Sequence, residues 1–216
     1  MKKFMIFGDS YSTYEGCIPE GYATYYLKNK LPPEEPQDAI KNMELESTWW
    51  MRLIKATGAE LVQNNSWSGS SVCYTGYSGD CSHSSSFIYR YRQLKEQGFF
   101  LQSELDTIIV FGGTNDSWSN SPIGELQLSD WKEEDLFAVL PAFAHFMRVL
   151  CDDLPKVRKL FVINTELKES ITDGIEALAK HFGIETVKLS EVDKLFGHPT
   201  AHGMEQIFEQ VLPHFI

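Results

Sequence analysis

Thr107-Ile108-Ile109-Val110-Phe111 is a nearly continuous apolar run of strand length with no polar alternation. A strand with that pattern is buried on both faces, which requires a parallel sheet covered by helices on both sides. Four more short runs fit the same scheme: Lys3 to Phe7, Glu60 to Asn64, Lys159 to Ile163 and, more weakly, Glu185 to Leu189. Helical patterns lie between them. Thr48 to Thr57 is closed by Gly58, Ser84 to Gln97 by Gly98, and Ile171 to Phe182 by Gly183. A glycine there suits the positive φ of a helix C-terminus. A longer helix is expected over Glu133 to Cys151, kinked at Pro141, and a last one over about Thr200 to Leu212. Strands alternating with helices predict βαβ units.

At 216 residues the chain is expected to form a single domain over 1–216. Two segments read as loops. Residues 16–46 carry Pro19, Pro32, Pro33, Pro36 and Gly21, and loops of that length are functional or mobile. Residues 118–131 carry Asn120, Pro122 and Gly124 as turn markers. A net charge of −11 argues against nucleic acid, which is bound by cationic side chains. No apolar run reaches the roughly 20 residues of a membrane span. The apolar start is broken at once by Gly8-Asp9-Ser10, so it reads as a strand rather than an export signal, and a cytoplasmic location is expected. Cys17, Cys73, Cys81 and Cys151 form no CxxC pair, so neither a metal nor a cofactor is expected. Cys73 and Cys81 are near enough in sequence to pair in an oxidising compartment, and four free thiols are the expectation otherwise.

The polar segments follow the strands. Gly8-Asp9-Ser10 follows the first, Asn64 to Gly69 the second, Gly112 to Asp116 the third, and His198-Pro199 the fifth. In an open parallel sheet, ligands bind beyond the carboxyl ends of the strands, so these segments converge. Together they supply the parts of an acyl-transfer site. Ser10 is the candidate nucleophile, and His198 the candidate base, with a pKa near neutral. The Ser10 and Gly69 amides and the Asn115 side chain are candidate oxyanion donors, Gly69 letting the backbone approach the substrate. Asp9 is a candidate at the substrate site or a hydrogen-bonder of the turn. Trp67 and Trp118 are candidate walls for a sugar ring or acyl chain, with packing as their alternative role.

Phe7 to Ser10, Gly69, Gly113-Thr114-Asn115-Asp116 and His198-Pro199-Thr200 to Gly203 resemble, in order, the four blocks of the SGNH (GDSL) hydrolase superfamily. The resemblance implies a three-layer α/β/α, flavodoxin-like sandwich with a mainly parallel five-stranded sheet. It also implies hydrolysis of small-molecule esters, acylated sugars or lipid-like esters among them. The family usually carries an Asp three residues before the histidine, and here Leu195 stands in that place. That Asp holds the imidazole in the right tautomer. Three alternatives follow: Asp193 reaches His198 by another path, a backbone carbonyl takes over and leaves a Ser–His dyad, or the site is crippled.

Each residue also has a plainer role. Ser10 can cap a helix, His198-Pro199 can begin one, and Asn115-Asp116 can form a turn. His202, four residues after His198, has metal-ligand spacing but no partner and reads as a rim residue. His83 reads as a loop residue and Trp131 as packing. Two other functions compete with an esterase. One is a noncatalytic binder of acyl or glycan ligands, favoured only by Leu195. The other is a flavin or nucleotide binder, which Asp9 opposes by repelling phosphate.

Overall fold

The computed structural model describes residues 1–28, 32 and 34–216, so part of the 16–46 loop, Pro33 included, lies outside the described residues. Five strands form the central sheet: β1 (Lys3–Gly8), β2 (Glu60–Ser66), β3 (Thr107–Phe111), β4 (Arg158–Ile163) and β5 (Glu185–Lys188). Their order is β2-β1-β3-β4-β5, and every neighbouring pair is parallel. The sheet lies in the three-layer, flavodoxin-like arrangement that the family resemblance implies. Among the described residues, five helices of nine or more residues cover it: α1 (Trp49–Thr57), α2 (Phe87–Glu96), α3 (Val139–Asp153), α4 (Glu169–Phe182) and α5 (Ala201–Phe215).

Strand side chains alternate between two cores. Met5, Phe7, Ile108, Val110, Phe161 and Ile163 pack with α2, α3 and α4. Phe4, Ile6, Ile109, Phe111, Leu160 and Val162 pack with α1 and α5. Burial on both faces is why the strands read as apolar runs rather than alternating ones.

Local chemistry sets the helix ends. The Thr48 hydroxyl accepts the Met51 N–H at the start of α1, and Gly58 ends it with φ 67°. Ser86 caps α2 through the Tyr89 N–H, two residues later than the pattern implies. The expected helix over 133–151 is two elements. A 3-10 turn over Glu133–Phe137 precedes α3, which begins at Val139. Pro141 therefore lies in the first turn of α3, where its missing N–H costs nothing, and it does not kink the helix.

Because β2 lies on one side of β1 and β3 on the other, the chain turns in opposite directions beyond β1 and β3. That divergence opens a crevice at their carboxyl ends. Ser10 follows β1 and Asn115 follows β3.

Candidate active site

Beyond β1, residues Ser10–Ser12 make a single 3-10 turn. Asp9 caps it by accepting the Tyr11 N–H at 3.1 Å. Asp9 is fully buried, which corrects its place among substrate contacts: it lies under the turn, not on the wall. Burial pushes its carboxyl up to about 7. A Cβ at Gly8 would come within 2.4 Å of Ser66 Oγ and 2.7 Å of Ser12 Cβ. The absence of a side chain lets the end of β1 nest against β2.

Trp67, Ser68, Gly69 and Ser70 form a β-turn closed by the Ser70 N–H on the Trp67 carbonyl at 3.1 Å. Gly69 takes the third position with φ 81°, which a type II turn requires. A Cβ there would meet no atom within 4 Å, so conformation rather than crowding fixes the glycine. Asn115 Nδ2 donates to the Ser70 carbonyl at 2.9 Å, which orients its amide and leaves its second N–H for another acceptor. Asp116, fully buried, receives the Val72 and Cys73 N–H groups at 2.9–3.1 Å and so pins the same loop. Burial raises the Asp116 carboxyl, opposed by those backbone hydrogen bonds.

Arg90, in α2, was not anticipated as part of the site. It is 1% exposed and lies beneath the loops. Its guanidinium donates to the Gly8 carbonyl at 3.2 Å, Asn65 Oδ1 at 2.7 Å, the Asn65 carbonyl, and Ser70 Oγ at 3.1 Å. One cation thus ties the end of β1 to the end of β2 and to the Gly69 turn. Burial lowers its pKa to about 10, so it keeps its charge at neutral pH. Arg90 and Arg92 sit two apart in one helix, and no pattern in the sequence separates them.

His198 Nε2 lies 3.0 Å from Ser10 Oγ. On the other side of the ring, Nδ1 lies 3.2 Å from the Phe196 carbonyl oxygen. A carbonyl only accepts, so Nδ1 carries the proton and Nε2 presents its lone pair to the Ser10 hydroxyl. Asp193 does not reach the imidazole. Its carboxylate accepts the Thr200 hydroxyl and its carbonyl the Thr200 N–H, at the start of α5. The backbone alternative thus replaces the Asp193 one. Lys194-Leu195 pairs with His198-Pro199 in a two-residue hairpin, and both turn residues, Phe196 (φ 49°) and Gly197 (φ 76°), have positive φ. That twist is what turns the Phe196 carbonyl back onto Nδ1. Burial lowers the pKa of His198; the Phe196 carbonyl opposes this, while the charges of Lys194 and Lys41 add to it.

Aromatic rings surround the pair. Tyr25, from the long loop, stacks on the imidazole with centroids 3.5 Å apart at 7°. Trp118 meets it edge-on at 6.1 Å, packs against Gly197, and is 38% exposed, so packing and an open face coexist there. Trp67 is half-buried against Tyr22, 4.3 Å away. The Ala23 carbonyl accepts the Ser68 N–H, so the long loop is joined to the Gly69 turn. Trp131 packs away from the site, its ring edge on His145. His202 is exposed, 3.8 Å from Glu205, and among the described residues no three His, Cys, Asp or Glu side chains gather as a metal site. All four cysteines are unbonded. No helix among the described residues is long and apolar enough to cross a membrane.

Residues 2–215 match the family model described as GDSL-like lipase/acylhydrolase. A protein from Bacteroides uniformis described as a GDSL-like lipase is 38% identical, with a TM-score of 0.86 over 100% of this chain and 95% of that one. One from Bacteroides ovatus is 34% identical, with a TM-score of 0.85 over 99% and 97%. A family two carbohydrate esterase from Cellvibrio japonicus shares the fold at 17% identity, with a TM-score of 0.64 over 99% of this chain and 60% of that one. A comparison with curated proteins gives no match.

Proposed function

Because the chain belongs to the GDSL-like lipase/acylhydrolase family, we propose that it is a serine esterase in which Ser10 and His198 act as a dyad oriented by a backbone carbonyl. The observation that carries this is the unbroken relay from the Phe196 carbonyl through the imidazole to Ser10 Oγ. Ser10 Oγ attacks the ester carbonyl as its proton passes to His198 Nε2. The oxyanion that forms is met by the Ser10 and Gly69 amides and the second Asn115 N–H. His198 then gives the proton to the departing alcohol, leaving Ser10 acylated. A water molecule repeats the two steps and releases the acid.

The usual carboxylate has two tasks, fixing the tautomer and stabilising the imidazolium. The Phe196 carbonyl performs the first fully and the second through its dipole alone. Leu195 was the one feature that favoured a noncatalytic binder, and the Phe196 carbonyl supports the catalytic reading by offering His198 another orienting acceptor. The narrower substrate class is a short acyl ester, an O-acetylated sugar above all. The exposed face of Trp118 beside His198 and the Trp67–Tyr22 pair beside the Gly69 turn are suited to a sugar ring. A fluorophosphonate probe tests the nucleophile. Mass spectrometry should find Ser10 modified in the wild type and no label on His198→Ala; equal labelling of both would overturn the dyad.

A further inference from the structure

Phe196 is held in a conformation its side chain disfavours. A bulky residue at φ 49° is an outlier that persists only where the surroundings over-determine it. Its side chain is 57% exposed, so packing does not hold it. The carbonyls that follow it are held instead. Tyr11 Oη donates to the Gly197 carbonyl at 2.6 Å, and Tyr26 Oη donates to the Pro199 carbonyl at 2.8 Å. Both tyrosines are fully buried and lie 186 and 173 residues away in sequence. Their bonds bracket His198, one on each side. Tyr11 directly follows Ser10, so one of them ties the nucleophile's own turn to the hairpin of the base. Tyr26 belongs to the long loop, whose Tyr25 stacks on the imidazole.

We propose that Tyr11 and Tyr26 are positioning residues, a pair of hydroxyl clamps that hold the strained 195–198 hairpin so that the Phe196 carbonyl fixes the tautomer of His198. The proposal builds on the dyad above and assigns to these two residues the orienting work that a carboxylate performs elsewhere. The long loop is then part of the catalytic geometry, not only a cover.

Tyr11→Phe and Tyr26→Phe remove only the hydroxyls. Each should lower kcat with KM little changed, and the double variant should lose on the order of 100-fold, the scale of a 1 Å misplacement. Phe196→Asn supplies the rescue. Asn-Gly is the preferred sequence of a two-residue hairpin with positive φ at both positions, so the turn would need no clamp. Added to the double variant, it should recover most of kcat, which a purely structural role would not predict. Nitrogen NMR of His198 reads the same property without turnover: one tautomer, protonated on Nδ1, in the wild type, and a mixture in the double variant. Unchanged kcat and tautomer in the double variant, or a loss that tracks only the unfolded fraction and resists Phe196→Asn, would overturn the clamp. If the wild type hydrolyses no ester, the esterase assignment fails, and the tautomer comparison still decides the clamp.

Discussion

Burial holds the His198 imidazole below its ordinary 6.5, with the charges of Lys194 and Lys41 acting in the same direction. With the neutral ring as the proposed base, esterase kcat/KM should be flat above neutrality and fall only as pH drops through a midpoint below 6.5. Lys194→Met removes one of the charges that disfavour protonation, so a pH–rate profile of that variant should show the midpoint moved upward. Asp9 shifts the other way. Its folded pKa of about 7 lies above the ordinary 3.8, so the fold binds that proton more tightly than the unfolded chain does. The stability it contributes is complete below about pH 4 and is lost as pH rises through 7. Asp9→Asn mimics the protonated form. Its melting temperature relative to wild type should climb between pH 4 and 7 and level off above. Sequence alone names Asp9 but not its depth, because an aspartate in a turn looks the same whether it faces solvent or core.

At the scale of elements, β3 was legible because a fully buried strand leaves an unmistakable apolar run. α3 was less so: helical periodicity continues through Glu133–Phe137, and only the break at Ala138 shows that Pro141 opens a helix rather than bending one. The 195–198 hairpin was not legible at all. Phe-Gly is a poor turn sequence, and the contacts that impose it come from Tyr11 and Tyr26. Asp193 attracted attention by its distance from His198 along the chain, yet the same hairpin directs it to Thr200. Arg90 is the element-scale counterpart. It joins α2 to the ends of β1 and β2 and to the Gly69 turn, so Arg90→Met would leave several buried acceptors unpaired. Chemical denaturation should show a loss of roughly 3 kcal/mol or more. Arg92→Met, whose guanidinium donates to the Tyr74 hydroxyl among the described residues, should cost far less.

Across the whole molecule, the order of the four motif blocks fixed the architecture. Each block follows a strand, or the loop leaving one, and parallel strands bring their carboxyl ends to one edge. Ser10 therefore meets His198, and Asn115 meets the Gly69 turn at Ser70, although the four residues span most of the chain. The buried framework behind them, Arg90, Asp116 and the two tyrosines, comes from elements whose sequence carries no such order. The central claim is that this gathered set makes Ser10 a nucleophile. Hydrolysis of p-nitrophenyl acetate by the wild type and by Ser10→Ala, purified side by side with matched melting temperatures, tests it most directly. The account predicts turnover by the wild type and none above background by the variant. Equal turnover by the two would show that Ser10 is not the nucleophile.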